Sequence, residues 1–458
     1  MDDELIVNEI VGVFSTCFED IGCVDFNEKW YDEKYRPRNL DPLDRHTIRT
    51  EFLLMKNPKN ESTELVYDVM SLKKETVEVA GFRKGTCTIF IIHDFTSNGY
   101  TGWIKHIVVA LSRKTDCNVI SIDWQAGAEP PLEQALSNAR VVALEAKMFI
   151  TMLKECFNQS PETLHVIGHG VGSHIAGYIG KSICGLQRIT ALDPTGPFFA
   201  HMPKEVRLDA DDARYVEVLH TDHFNHRSQG SKFPFGHANF LINDALHQPG
   251  CNDSSHMPSF VDLRRDSLQE GKILPACSHK RSFKYYIQAL EECECKFIGI
   301  HCVDYESFLM GQCNSCPGNG TCATFGLEPP SVKTKNNNYY ILTNEHTPFC
   351  MISYTVNITL EGGEVSKDVE GYFEMILIDD NSKVTNATNT LSGAMRKMTT
   401  GHFYKFVFYA SLPPINKVKE AKVRWNYNSN KICILCDKSI TIKDISIKRI
   451  AIKPDPAH

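Results

Sequence analysis

The chain has 458 residues, 42% of them hydrophobic and 23% charged, a length that calls for two domains with buried cores and the composition of a soluble globular protein. A net charge of -7 and a pI near 6.2 give no basic surface for a nucleic-acid partner, and no apolar run reaches the roughly 18 residues of a membrane span. Seventeen cysteines, several in close pairs within loops, exclude an ordinary reduced cytosolic enzyme and read as a secreted, disulfide-bonded protein.

Six N-x-S/T sequons, at Asn60, Asn158, Asn252, Asn319, Asn357 and Asn386, agree with that compartment. The opening MDDELIV lacks an apolar signal-peptide core, so the N-terminus is read as mature or incomplete. Cys17 and Cys23 bracket a short loop. Thr50 to Leu54 and Glu64 to Tyr67 suggest two early strands. Thr86 to Ile92 is near-continuously apolar, as in a strand buried on both faces, and it ends in His93-Asp94-Phe95. A helix pattern over Trp103 to Leu111, a buried strand over Asn118 to Ile122 closing on Asp123-Trp124, and a long helix pattern over Leu132 to Phe157 follow. Strands alternating with helices imply crossover units and a mostly parallel sheet.

Leu164 to Lys181 then reads strand, sharp turn, helix. Gly168-His169-Gly170-Val171-Gly172 has the frame of the nucleophile elbow, G-x-S-x-G, with its central Ser replaced by Gly170. Ile189 to Pro194 is a short strand carrying an acid at its end. A carboxylate-rich loop and a strand fill Pro203 to Thr221, and a polar loop separates Cys251 from Cys277. His279 precedes a helix pattern over Phe283 to Leu290. The order of nucleophile position, acid and histidine is that of α/β-hydrolases.

After a cysteine-rich tail and a polar linker the pattern changes from helix to strand. From Tyr339 on, and over Ile352 to Leu360, Tyr372 to Ile378, Phe403 to Tyr409, Lys422 to Trp425 and Ile440 to Ile452, apolar and polar residues alternate. Several strands without a helix pattern indicate a β-sandwich. The expected division is an α/β domain over 1–335 and an all-β domain over 338–458.

Ordered motifs over nearly the whole chain carry a resemblance. They are Leu53-Leu-Met-Lys-Asn-Pro58, His93-Asp-Phe95, Ile122-Asp-Trp124, the elbow, Arg188-Ile-Thr-Ala-Leu-Asp-Pro194, Val206-Arg-Leu-Asp209, Gly236-His237 and Ala276-Cys-Ser-His-Lys-Arg-Ser-Phe-Lys-Tyr-Tyr286. Through them the chain resembles the pancreatic lipase family. The resemblance implies an α/β-hydrolase domain followed by a PLAT-type sandwich, and hydrolysis of acylglycerol or phospholipid esters at a lipid surface. It places the catalytic acid on Asp193, the histidine on His279 and the oxyanion donors on the backbone N–H groups of Phe95 and Val171. It also implies a Ca²⁺ site from backbone oxygens of Lys204 and Arg207 and side chains of Asp209 and Asp212, an oxygen-only set that suits a hard cation. Implied disulfides are Cys17–Cys23, Cys251–Cys277, Cys302–Cys313 and Cys316–Cys322. The segment between Cys251 and Cys277 is the expected lid, and a colipase-like protein an expected partner.

The departures decide the functional expectation. Besides Gly170, the glycine usual after the oxyanion-strand histidine is Asp94, and the Asp usual after Gly236-His237-Ala238 is Asn239. Ser173 is a second hydroxyl near the elbow. It lies about 4.5 Å further along the helix axis and on the wrong side of the turn. Loss of a triad nucleophile costs on the order of 10⁶ in turnover, whereas Gly fits the elbow's backbone without strain. The expectation is a secreted lipase-fold protein that binds lipid without hydrolysing it efficiently. The alternatives are an active triacylglycerol lipase or phospholipase A1 and, from another class, a storage or scaffold protein like the lipase-related yolk proteins. Asp94 is expected to limit any activity restored by Gly170→Ser.

Overall fold

The computed structural model describes residues 15–57, 65–223, 228–251, 276–291, 295–313, 321–328, 335–363, 367–379, 396–410, 418–427 and 439–450. Strands β1 (Ser15–Phe18) and β2 (Gly22–Asp25) form a hairpin across which Cys17 faces Cys23. Ten further strands before the second domain and one at the junction build an 11-stranded sheet. Its strands are β3 (Glu51–Lys56), β4 (Val66–Met70), β5 (Thr88–Ile92), β6 (Asn118–Asp123), β7 (Leu164–His169), β8 (Arg188–Leu192), β9 (Tyr215–His220), β10 (Ala238–Ile242), β11 (Gly299–His301), β12 (Cys322–Ala323) and β13 (Asn337–Ile341). Their spatial order is 12-11-13-10-9-8-7-5-6-3-4. The central run from β13 through β10, β9, β8, β7 and β5 to β6 is parallel, and both flanks are antiparallel.

All five residues of β5 are buried, because helices cover both faces of a parallel sheet. The two-residue period of the strand sorts them. Phe90 and Ile92 enter a core with Leu136, Val142, Ala146, Phe149 and Ile150 of helix α2 (Leu132–Phe157). Ile89 and Ile91 enter another with Trp103, Ile104, Ile107, Val108 and Leu111 of helix α1 (Gly102–Ser112). Phe149 stacks on Phe52 at 4.1 Å between ring centroids, and its truncation to Ala carries a cost of about 3–5 kcal/mol. Helices α3 (Val171–Ser182) and α4 (Cys277–Leu290) complete the set that positions the site.

Among the described residues the second domain packs two three-stranded antiparallel sheets. One contains β14 (Ile352–Leu360), β17 (Phe403–Ala410) and β19 (Ile442–Arg449), and the other β15 (Asp368–Asp379), β16 (Arg396–Thr399) and β18 (Val418–Tyr427). Tyr354, Val356, Ile358 and Leu360 share a core with Phe373, Met375 and Leu377, as alternation in a sandwich requires. The expected boundary at 335–338 falls too early. Asn337 to Ile341 pairs in parallel with β10 in the large sheet, so the α/β unit extends past Ile341. A strand-like pattern does not reveal which sheet it joins. Tyr340 of β13, Phe308, Val407 and Tyr409 form one cluster at the junction.

Three implied disulfides are present, Cys17–Cys23, Cys251–Cys277 and Cys302–Cys313, and two further pairs, Cys87–Cys117 and Cys295–Cys350, join cysteines that did not map. Cys322 is disulfide-bonded, while Cys316 lies outside the described residues. Among the described residues Cys156 and Cys184 are free and exposed.

Candidate functional site

The site is assembled from the ends of β5, β7 and β8 and the start of α4. At the end of β7 the chain turns into α3 through Gly170, whose φ of 54° and ψ of -118° belong to a region that disfavours side chains. A Cβ on Gly168 would strike the backbone of Gly172, and one on Gly172 would strike the carbonyls of Ile92 and His93. The outer glycines are therefore dictated by packing and hold the turn whatever stands at its centre.

Beside the turn, His93 fixes the loop that leaves β5. Trp124 N donates to His93 Nε2 at 2.9 Å, and His93 Nδ1 donates to the Asp94 carbonyl at 2.8 Å. This anchoring directs the next side chain, Asp94, into the elbow. Val171 N donates to Asp94 Oδ1 at 2.7 Å, and His279 Nε2 donates to Asp94 Oδ2 at 3.0 Å. A Cβ built on Gly170 would fall on the Asp94 carboxylate, closer than any real contact. The carboxylate thus fills the space of the missing nucleophile and consumes the N–H of Val171, an expected oxyanion donor.

Asp193, at the end of β8, and His279, at the start of α4, meet. His279 Nδ1 donates to Asp193 Oδ2 at 2.6 Å, and Asp193 Oδ1 accepts from the N–H groups of Thr221 and Asp222 at 2.7 and 3.1 Å. His279 is thereby clamped between two carboxylates. Burial alone would push its pKa down, but the hydrogen bonds and charges of Asp193 and Asp94 outweigh it and push the value up to about 10. Burial opposes ionisation of Asp94 too, yet its bond to His279 holds the carboxyl below the ordinary range. At Asp193 burial wins and raises the carboxyl, against His279 and the two N–H groups. An imidazole with both nitrogens donating to carboxylates is an imidazolium, with no lone pair to take a proton from a nucleophile.

Ser173 does not replace that nucleophile. It is buried, and its hydroxyl donates to the Gly168 carbonyl at 2.8 Å. His169, the x of the elbow, packs on His279 with centroids 4.3 Å apart. Burial pushes its pKa down to about 3, and its buried Nε2 has no hydrogen-bond partner among the described residues. Asp94, His169 and His279 floor a cavity of about 710 Å³ whose walls include Phe95, Trp103, Phe283 and Lys280. Trp103 and Phe283 stack at 5.2 Å.

The carboxylate loop is brought together around a cation of the chain's own. Lys181 Nζ donates to the Arg207 carbonyl at 2.8 Å and to both Asp212 carboxylate oxygens at 2.7 Å. Asp209 accepts from Arg207 Nη1 at 2.9 Å, and Asp212 Oδ2 accepts from Asp209 N at 2.8 Å. As arranged, the loop does not fit Ca²⁺, because the Arg207 carbonyl and the Asp212 carboxylate hold an ammonium and Asp209 a guanidinium. Two other groups, Asp94 with His169 and His279 and Asp193 with Asp222 and His279, are close enough for metal ligation. Both depend on His279, whose nitrogens are committed to carboxylates.

Asn239 is buried and accepts from Gly236 N at 3.2 Å, a local brace rather than a catalytic contact. Of the sequons, Asn158 is exposed at the end of α2. Asn357 is half-buried in β14 and donates to Ser446 Oγ at 3.1 Å. Asn60, Asn252, Asn319 and Asn386, with the expected lid over 252–276 except Ala276, lie outside the described residues. Sequence reasoning missed the partnership of Asp94 with Gly170, and it missed Lys181 and His169. The available signal was that two residues expected to face one oxyanion, at 94 and 170, depart together.

The family model described as Lipase matches residues 14–349. The inactive pancreatic lipase-related protein 1 of Canis lupus familiaris is 33% identical over 90% of this chain and 86% of its own length. The pancreatic triacylglycerol lipase of Cavia porcellus is 34% identical over 79% of this chain and 78% of its own. That of Sus scrofa is 30% identical over 94% and 98%. No helix among the described residues is long and apolar enough to cross a membrane.

Proposed function

This chain belongs to the lipase family, and we propose that within it the protein binds lipid without hydrolysing it. The observation that supports this reading is the Asp94 carboxylate standing where a nucleophile's side chain would begin, bonded at once to Val171 N and His279 Nε2. Ester hydrolysis by a triad needs a nucleophile, a base with a free lone pair and an empty oxyanion site. Here Gly170 supplies no nucleophile, His279 holds both its protons against carboxylates, and the Val171 donor is occupied. The cavity and its aromatic walls persist, and they are the part of the site that holds a ligand's apolar body.

The remaining expectations are proposals of the same kind. The paired cysteines support secretion into an oxidising compartment. A lipid or emulsion surface is the proposed partner, with a colipase-like protein as cofactor of that contact, and the second domain is proposed to be of the PLAT type. Ca²⁺ is proposed to enter the 204–212 loop only where Lys181 is removed. Flotation of the protein with a triacylglycerol emulsion, alongside turnover of a soluble ester, tests the reading. Binding with background turnover is expected. Efficient turnover overturns it.

A further inference from the structure

We infer that the cavity over the altered centre selects a long-chain lipid whose head donates a hydrogen bond, a hydroxyl, over one bearing a carboxylate or ester. The inference rests on the lipid-binding reading above and adds the ligand class.

The reason is an inversion of polarity at the cavity floor. Two donors face the altered centre, the N–H of Val171 and the Nε2–H of His279. Asp94 takes both, at 2.7 and 3.0 Å. A bound carbonyl or carboxylate oxygen finds neither. What the floor presents instead is a carboxylate, with about four lone-pair sites of which these bonds use two. Asp94 and Asp193 flank the single imidazolium of His279 and Asp222 stands beside it, while Lys280 and Glu129 of the wall offset one another, so carboxylates outnumber the imidazolium at the floor. An anionic head meets repulsion in a poorly solvated place. A hydroxyl donates to Asp94 without adding charge.

A second observation points to a ligand at this spot. His169 is 4% exposed and lines the cavity, and its buried Nε2 has no hydrogen-bond partner among the described residues. Buried polar atoms are normally satisfied. A hydroxyl is both donor and acceptor, so it serves Asp94 and the neutral imidazole together. Above these groups Phe95, Trp103 and Phe283 supply the apolar wall for a chain.

Calorimetric titration of the wild-type chain with dodecanol, dodecanoate and methyl dodecanoate tests this. Dodecanol is expected to bind at least tenfold more tightly than the other two. Asp94→Gly frees both donors and removes the acceptor, and is expected to reverse the order. Asp94→Asn keeps the side chain's shape, serves if the glycine variant does not fold, and is expected to abolish the preference. Equal binding of dodecanoate and dodecanol overturns the inference while the lipid-binding reading stands. So does a preference for dodecanol that survives in Asp94→Asn or Asp94→Gly. Failure of all three ligands to bind, together with failure to float with emulsion, overturns the lipid-binding reading and the inference with it.

Discussion

The carboxylate of Asp94 occupies the volume that a Cβ on Gly170 would need. The two residues are therefore one structural substitution in two places, and each accounts for the other. With a side chain at 170 the Asp94 carboxylate has no room. With Gly at 170 the emptied volume is filled by a group that Val171 and His279 both bond.

Stability should show this coupling. Gly170→Ser is expected to cost more than the roughly 1–3 kcal/mol of a side chain at a disfavoured φ, because it also displaces a buried, doubly bonded carboxylate. In an Asp94→Gly background the same substitution should cost the backbone strain alone. Denaturant unfolding of the two single variants and the double variant measures the difference. A coupling indistinguishable from zero contradicts the shared volume.

The pH dependence of stability follows from His279. Its folded pKa is raised from 6.5 to about 10, so its contribution is fully present below about 6.5 and is lost as pH rises through about 10. Asp94 is lowered, so its contribution is present above about 4 and lost as pH falls through the folded value. Unfolding free energy of the wild type should fall steadily between about pH 6.5 and pH 10. Asp94→Gly should flatten that fall, since only Asp193 then holds the proton. Equal slopes in the two proteins would remove Asp94 from the clamp.

Lys181 gives a test of the cation loop. The wild type is expected to melt at the same temperature with Ca²⁺ and with chelator, because an internal ammonium holds the Asp212 oxygens. Lys181→Met leaves Asp212 buried without its partner, at a cost of about 3–5 kcal/mol. That variant should be rescued in part by Ca²⁺, since an ion that binds only the native state stabilises it by mass action. A clear Ca²⁺ dependence of the wild type contradicts this assignment.

Ser173→Ala is expected to cost about 0.5–1.5 kcal/mol, the net value of its bond to the Gly168 carbonyl. Soluble-ester turnover should be the same before and after. A fall in turnover would make Ser173 part of a working site.

Much of the frame was legible in the residues. The apolar runs gave β5 and β6, the periodic stripe gave α2 from Leu132 to Phe157, and the motif order placed Asp193 and His279 on one centre. Those features are local or fixed by the resemblance. What escaped depends on contacts distant along the chain. Asp94 was read as a charge beside the oxyanion site, because nothing in sequence separations of 76 and 77 residues says that its carboxylate enters the volume at Gly170 and meets Val171 N. Lys181 stands in the last turn of α3 and reaches the Arg207 and Asp212 oxygens, contacts that its place in the sequence does not encode. The strand at Asn337–Ile341 joins the large sheet because of its pairing with β10, which its own alternation does not encode.

Asp94 and Gly170 are proposed to close the centre to ester chemistry between them. Labelling by a fluorophosphonate probe, with soluble-ester hydrolysis in parallel, tests this most directly on the wild type, Gly170→Ser, Asp94→Gly and the double variant. The expected result is no label and background hydrolysis for the wild type and both single variants, with labelling and measurable hydrolysis only when Gly170→Ser and Asp94→Gly are combined. Stoichiometric labelling of the wild-type chain, or full activity from Gly170→Ser alone, would contradict it.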